Sequence, residues 1–206
     1  MRHHDENLKD KYSFYYWGPY LFQTAISPKV AKTLLSEGKK LTKKFNESLA
    51  GQIKKEFIYT DASFFMPEFT RIVDLYLEGY RHFANLPNYK ATFNFKNMWI
   101  NYQKKNEYNP PHIHFDCSHS FVIYLKMPKQ IKKEYLRNKT QSAGAGAINF
   151  FYGEYNEWSN TSHAFLPEEN MIFVFPSFLQ HYVEAFKSDV TRITVAGNFS
   201  LIRAKI

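Results

Sequence analysis

The sequence predicts a mainly β protein with helices on its N-terminal side, built as a sandwich or barrel of antiparallel sheets. Three observations carry that expectation. After residue 90, six short runs rich in β-branched and aromatic residues follow one another at fairly even spacing, with turn residues between them. Before residue 90, two segments repeat apolar residues at helical spacing instead. The chain has 206 residues, 44% hydrophobic and 18% aromatic, which is core enough for one domain and too apolar for a disordered chain. Residues 1–206 therefore read as a single domain, with 1–90 packing on a core of 91–206.

Taken in order, PYLFQTAIS (Pro19 to Ser27) has the texture of a lone strand. Ser27 is a natural N-cap and Pro28 suits the first helical position. Val30, Leu34, Leu35 and Leu41 continue at helical spacing, so a helix is expected within Ser27 to Phe45. Phe69, Ile72, Val73, Leu75, Tyr76 and Tyr80 give a second helix within Pro67 to Leu86. The β runs are Ala91 to Tyr102, Ser120 to Met127, Gly146 to Gly153, Asn170 to Pro176, Gln180 to Phe186 and Thr191 to Ile202. The polar, Lys-rich piece from Pro128 to Ala145, ending in QSAGAGA, reads as a mobile loop.

Composition narrows the function classes. A single cysteine, Cys117, rules out an intramolecular disulfide framework and a cysteine-based structural zinc site. No run approaches the roughly 20 apolar residues of a membrane span. The first residues, MRHHDENLKDKYS, lack the apolar stretch of a signal peptide. A reducing, cytoplasmic setting is the simplest expectation. The formal charge is +8, from 27 Lys and Arg against 19 Asp and Glu. Much of the excess lies in Lys39, Lys40, Lys43 and Lys44, in Lys104 and Lys105, and in Lys129, Lys132 and Lys133. These clusters hold no arginine, the usual reader of base edges, so the bland reading of solvated lysines is preferred to nucleic-acid binding.

Chemistry concentrates in NYQKKNEYNPPHIHFDCSHS, residues 101–120, where His112, His114 and Asp116 alternate as H-x-H-x-D. Residues two apart on an extended strand share a face, so this spacing aims adjacent imidazoles, or an imidazole and a carboxylate, at one point. Such a donor set suits divalent iron, manganese or zinc. His181 sits in an apolar run after a Pro-Ser turn, where a solitary histidine would be a core residue. Eleven residues on, Arg192 and Thr194 face one way and Ile193 and Val195 the other. An arginine on the polar interior side of a barrel strand costs several kcal/mol unless an anion meets it. A ligand carboxylate gripped by the guanidinium is the natural partner.

This order of motifs resembles the double-stranded β-helix (jelly-roll, cupin-like) oxygenases that depend on Fe(II) and 2-oxoglutarate. It is most similar to the 2OG-Fe(II) oxygenase group of marine bacteria and their phages, related to prolyl 4-hydroxylases. The matching stretches are Trp99 to Tyr102, Asn109 to His114, Ser120 to Pro128, Phe175 to Val183 and Ser188 to Asn198, with Ser48 to Phe57 similar to the family's N-terminal segment. The resemblance implies a jelly-roll core and a hydroxylase that consumes 2-oxoglutarate and O2 and releases succinate and CO2. It implies His181 as the distal iron ligand and Arg192 as the residue pairing with the distal carboxylate of 2-oxoglutarate. Tyr102 would line the cosubstrate pocket, and Tyr124 would donate its hydroxyl to the same carboxylate. For the proximal ligands it favours His112 and His114, with Asp116 as an outer acceptor orienting an imidazole. The literal H-x-D alternative, His114 and Asp116 with His181, stays open. His119 and His163 read as surface or loop histidines.

Kinship with prolyl hydroxylases implies a peptide or protein side chain as substrate, with a small molecule as the alternative. Trp158 and the segment Lys129 to Gly146 would form a rim clasping an extended peptide. Two rivals differ in kind: a cupin-type metal enzyme without 2-oxoglutarate, and a jelly-roll binding module with incidental histidines.

Overall fold

The computed structural model describes residues 2–3, 14–15, 18–140 and 142–204. Most of the MRHHDENLKDKYS segment, and Gln141 of QSAGAGA, lie outside the described residues. The elements are β1 (Arg2–His3), β2 (Phe14–Tyr15), β3 (Phe22–Ala25), α1 (Pro28–Gly38), β4 (Glu56–Ile58), α2 (Met66–Ala84) and β5 (Ala91–Gln103). They continue with β6 (Asn109–His112), β7 (His119–Lys126), α3 (Lys129–Leu136), β8 (Ile148–Phe151), β9 (Ser162–Phe165), β10 (Met171–Pro176), β11 (Gln180–Val183) and β12 (Arg192–Arg203). Among the described residues β1 and β2 pair only with each other. The rest form two sheets: six strands in the order β3-β10-β7-β12-β5-β4, and four in the order β6-β11-β8-β9. Every pairing is antiparallel.

Strand alternation gives the large sheet two different faces. One face presents Met98, Ile100, Phe121, Ile123, Ile172, Val174 and Val195, all buried beneath the helices. Phe69 of α2 is the hub there: its ring meets Phe93, Phe95 and Phe199 edge-on with centroids 5.0–5.2 Å away. Fully burying such a ring stabilises the fold by about 2–3 kcal/mol. The other face presents Tyr124, Phe173 and Phe175 to Ile148, Phe150 and Val183 of the small sheet. The N-terminal helices thus cap one side, and the interior of the sandwich lies on the other.

Helix starts follow the expected caps. Ser27 Oγ accepts the Val30 N–H at 3.3 Å, and Pro67 stands in the first turn of α2. Asn85, in the left-handed region at φ 54°, closes α2. Three expectations need correction. α1 ends at Gly38, with Lys39 as its C-cap, rather than running on toward Phe45; Gly38 lies against Tyr59 and Ile100, where there is no room for a side chain. The lone strand of Pro19 to Ser27 is the sheet edge β3, paired with β10. The segment expected to be a loop from Pro128 to Ala145 contains α3: Ile131 is buried, and Glu134 accepts the Lys187 and Ser188 N–H groups at 2.8 and 3.0 Å. Its lysines occupy the solvent side, which hides a helix of low mean hydropathy.

Candidate metal centre

The centre is assembled by the small sheet and the turn beside it. β6 and β11 pair so that His112 and His181 stand directly opposite each other. Pro110 and Pro111 lie in β6, which is an edge strand, where a missing N–H is tolerated. His114 follows the end of β6 and is fixed by its N–H, which donates to the Ser177 carbonyl at 3.0 Å. The ring centroids of His112 and His181 are 4.3 Å apart, and His114 lies 5.2 Å from each. One nitrogen from each ring lies within 4.8 Å of the other two, close enough to hold one metal ion.

The surroundings prepare these rings as neutral ligands. His112 Nδ1 donates to the Pro110 carbonyl at 2.7 Å and His181 Nδ1 to the Leu179 carbonyl at 2.9 Å, because a carbonyl can only accept. Nε2 of both rings is thereby left with its lone pair, the arrangement a ligating histidine requires. Burial, reinforced by the neighbouring histidines, holds His181 well below its ordinary pKa. Burial and His112 bring His114 down to about 4, and burial lowers His112 against the opposing pull of its Pro110 bond.

Asp116 does not join them. It is exposed, and its backbone stands in the left-handed region at φ 60°, which ends the strand alternation that would have kept it on the face of His112 and His114. The acceptors orienting the imidazoles are backbone carbonyls, so the expectation that Asp116 plays that part is corrected. His119 is likewise no surface residue: its Nδ1 meets Ser118 Oγ at 2.7 Å and its Nε2 meets Tyr76 Oη at 3.0 Å, and burial brings its pKa down to about 4. His163 is exposed, as expected.

The second half of the site lies on the large sheet. A cavity between the sheets is lined by Trp99, Asn101, His112, His114, Tyr124, His181, Arg192 and Thr194, among others. Arg192 is 3% exposed and forms no ion pair among the described residues. Its Nη1 donates to the Gly146 carbonyl at 2.8 Å, while its Nε has no acceptor. Gly146, at φ 69°, takes the left-handed turn that presents this carbonyl. The Tyr124 ring lies 5.8 Å below the guanidinium carbon, and its buried hydroxyl also lacks a partner. Thr194 Oγ1 accepts from Asn101 Nδ2 at 3.1 Å, which leaves its own proton to donate. A buried cation with idle donors around it fits a carboxylate ligand.

Tyr102 is corrected. It is absent from the cavity lining and packs in the helical layer, its ring 6.2 Å from Phe57. Gln103 pairs with Arg192 and Asn101 with Thr194 across β5 and β12, so beyond the bulge at Lys96 the odd-numbered residues of β5, Trp99 and Asn101 among them, face the interior. Sequence reasoning missed Asn101, whose position two residues from Trp99 was the available signal.

An antiparallel sandwich with three histidines at one end of its interior and an unpaired arginine further in defines a non-haem metal oxygenase that uses an anionic cosubstrate. The comparisons give the family. Residues 97–198 match the family described as "Putative 2OG-Fe(II) oxygenase". Its cofactors are Fe(II), 2-oxoglutarate and O2. Among solved structures, the chain is similar to a viral collagen prolyl hydroxylase of Paramecium bursaria Chlorella virus-1 in complex with 2OG. The TM-score is 0.55 at 13% identity, over 91% of this chain and 98% of that one. It is also similar to a Pseudomonas putida prolyl-4-hydroxylase (TM-score 0.52, 16% identity, 90% and 93% covered). A third is the Trichoplax adhaerens prolyl hydroxylase in complex with a hypoxia inducible factor peptide fragment (TM-score 0.53, 13% identity, 88% and 83% covered). These likenesses establish the jelly-roll fold. No curated protein matches the sequence.

Proposed function

We propose that His112, His114 and His181 hold Fe(II), and that Arg192, helped by the Tyr124 and Thr194 hydroxyls, binds the distal carboxylate of 2-oxoglutarate. The substrate is a peptidyl proline or another protein side chain, and the product is its alcohol. The observation that carries the reading is Arg192, a buried guanidinium without an anion, on the wall of the cavity that the three histidines enter. When bound, the iron and 2-oxoglutarate supply the oxidising power. The protein's residues do the rest: neutral imidazoles bind, two backbone carbonyls keep them oriented, and Trp99, Phe150 and Phe175 keep water from the centre.

The peptide substrate is supported by the prolyl hydroxylase neighbours, one of which holds a peptide. A cleft of about 500 Å³, bordered by His112, His114, Phe115 and the 45–51 segment, gives it a place. In this reading residues 1–206 act as one catalytic unit in the cytoplasm, and nucleic-acid binding is the less favoured use of the basic charge. Among the described residues no helix is long and apolar enough to cross a membrane. The test is mass spectrometry of a Pro-rich peptide incubated with Fe(II), 2-oxoglutarate and the protein. A gain of one oxygen atom on proline, matched by succinate, is expected. Succinate without peptide oxidation in a broad panel would reject the substrate class.

A further inference from the structure

The cleft beside the histidines contains a second buried ionisable group without an ion-pair partner among the described residues, an acid where Arg192 is a base. Glu56, on β4, is 1% exposed and lines this cleft. No Lys or Arg pairs with it among the described residues. Lys96 also borders the cleft but stands exposed, outside ion-pair distance. Among the described residues the one donor to the Glu56 carboxylate is Asn46 Nδ2, 3.4 Å from Oε2. A second buried acid, Glu107, acts on Glu56, but its oxygens are taken by the Lys54 and Lys104 N–H groups at 3.3 and 2.8 Å. Burial first, then Glu107, pushes the Glu56 pKa up to about 8, so the carboxyl holds its proton at neutral pH until a cation beside it favours the charged form.

Gly51, lacking a side chain, lets two acceptor groups close on the same stretch of the cleft wall. A side chain at this position would collide with Asn109 Oδ1 and come within 3.3 Å of Glu56 Oε1. Two acceptor oxygens therefore converge over a glycine, both on the cleft wall, and neither has a donor among the described residues. Two facing acceptors call for a donor between them, and a buried carboxylate calls for a positively charged one.

We propose that Glu56 and Asn109 Oδ1 form a recognition subsite for a guanidinium or primary ammonium group on the substrate, so that the preferred peptide carries an Arg or Lys beside the oxidised residue. This rests on the reading of the cleft as the substrate side of the oxygenase. Arg192 meets the anionic cosubstrate in the cavity between the sheets, and Glu56 the cationic substrate in the cleft that shares His112 and His114 with it. Glu56 is a specificity residue and takes no part in the oxidation.

The test uses the full chain loaded anaerobically with Fe(II) and 2-oxoglutarate, whose visible absorption band is recorded first as an independent check of the metal site. Calorimetric titration then compares N-acetyl-arginine methylamide with its neutral isostere N-acetyl-citrulline methylamide. The arginine probe is expected to bind about tenfold more tightly. Glu56→Gln, which keeps size and hydrogen bonding, should reduce that preference to about twofold or less while leaving the band intact. Asp116→Asn, at an exposed acid of the same cleft, should keep the preference. Equal binding of the two probes by the wild type, or a preference that survives Glu56→Gln, overturns the proposal even if the band is normal. A missing band would instead strike the metal-site reading.

Discussion

At the scale of single residues, the protein places charges where the fold alone would not tolerate them. Arg192 is buried with one carbonyl acceptor and an idle Nε, so it weakens the empty fold while it prepares a carboxylate site. Arg192→Met should leave the apo protein as stable as the wild type, or more stable by about 1 kcal/mol, when melted without 2-oxoglutarate. Cosubstrate at a hundred times its Kd should stabilise the metal-loaded wild type by about 2.7 kcal/mol, and this gain should vanish in the variant. Loss of stability without loss of cosubstrate binding would mean that Arg192 serves packing. His119 gives a pH signature of its own. Its folded pKa of about 4 lies below the ordinary 6.5, so the unfolded chain binds the proton first. Its contribution is present in full above pH 6.5 and is lost as the pH falls toward 4, amounting to about 3 kcal/mol. Urea unfolding of the metal-free protein at pH 7.5 and pH 5 should show about 2 kcal/mol of this loss, and His119→Gln should reduce it. An unchanged pH dependence in the variant would assign the loss to the other buried histidines.

At the scale of elements, strand parity decides which side chains can act. Tyr102 and Asn101 are neighbours, yet β5 sends one to the helical layer and the other to the cavity. Tyr102→Phe should leave the Kd for 2-oxoglutarate within about twofold, whereas Tyr124→Phe should weaken it about five- to tenfold, the worth of one hydrogen bond to a charged group. Equal effects in the two variants would overturn this assignment of faces. What could be read from the sequence follows the same physics. Alternation within β12 was legible, and with it the shared face of Arg192 and Thr194. Which face of β5 looks inward was not, because parity inside one strand is silent about its partner. β6 was hidden by Pro110 and Pro111, whose cost disappears on an edge. α3 was hidden by its lysines, although Ile131 and Tyr135 sit four residues apart on one side. The H-x-H-x-D spacing located the centre but overextended it, because the turn at Asp116 breaks the alternation.

At the scale of the whole molecule, the two sheets divide the work. The small sheet and its turn carry the three histidines, the large sheet carries Arg192, Tyr124 and Thr194, and the helices stabilise the large sheet from behind. Phe69→Ala, at the hub of that helical layer, should cost about 3–5 kcal/mol of stability without altering the geometry of the centre. In the folded fraction of this variant, cosubstrate affinity should therefore stay within about twofold of wild type, a separation expected when distant sites act independently.

The most direct measurement is an anaerobic titration of 2-oxoglutarate into Fe(II)-loaded protein, following the weak visible charge-transfer band of a chelated 2-oxo acid. The band should appear in the wild type and in Asp116→Ala, require far more cosubstrate in Arg192→Met, and vanish with iron binding in His181→Ala. Bound iron with no band, or a band that Asp116→Ala abolishes, would contradict the assignment of this centre.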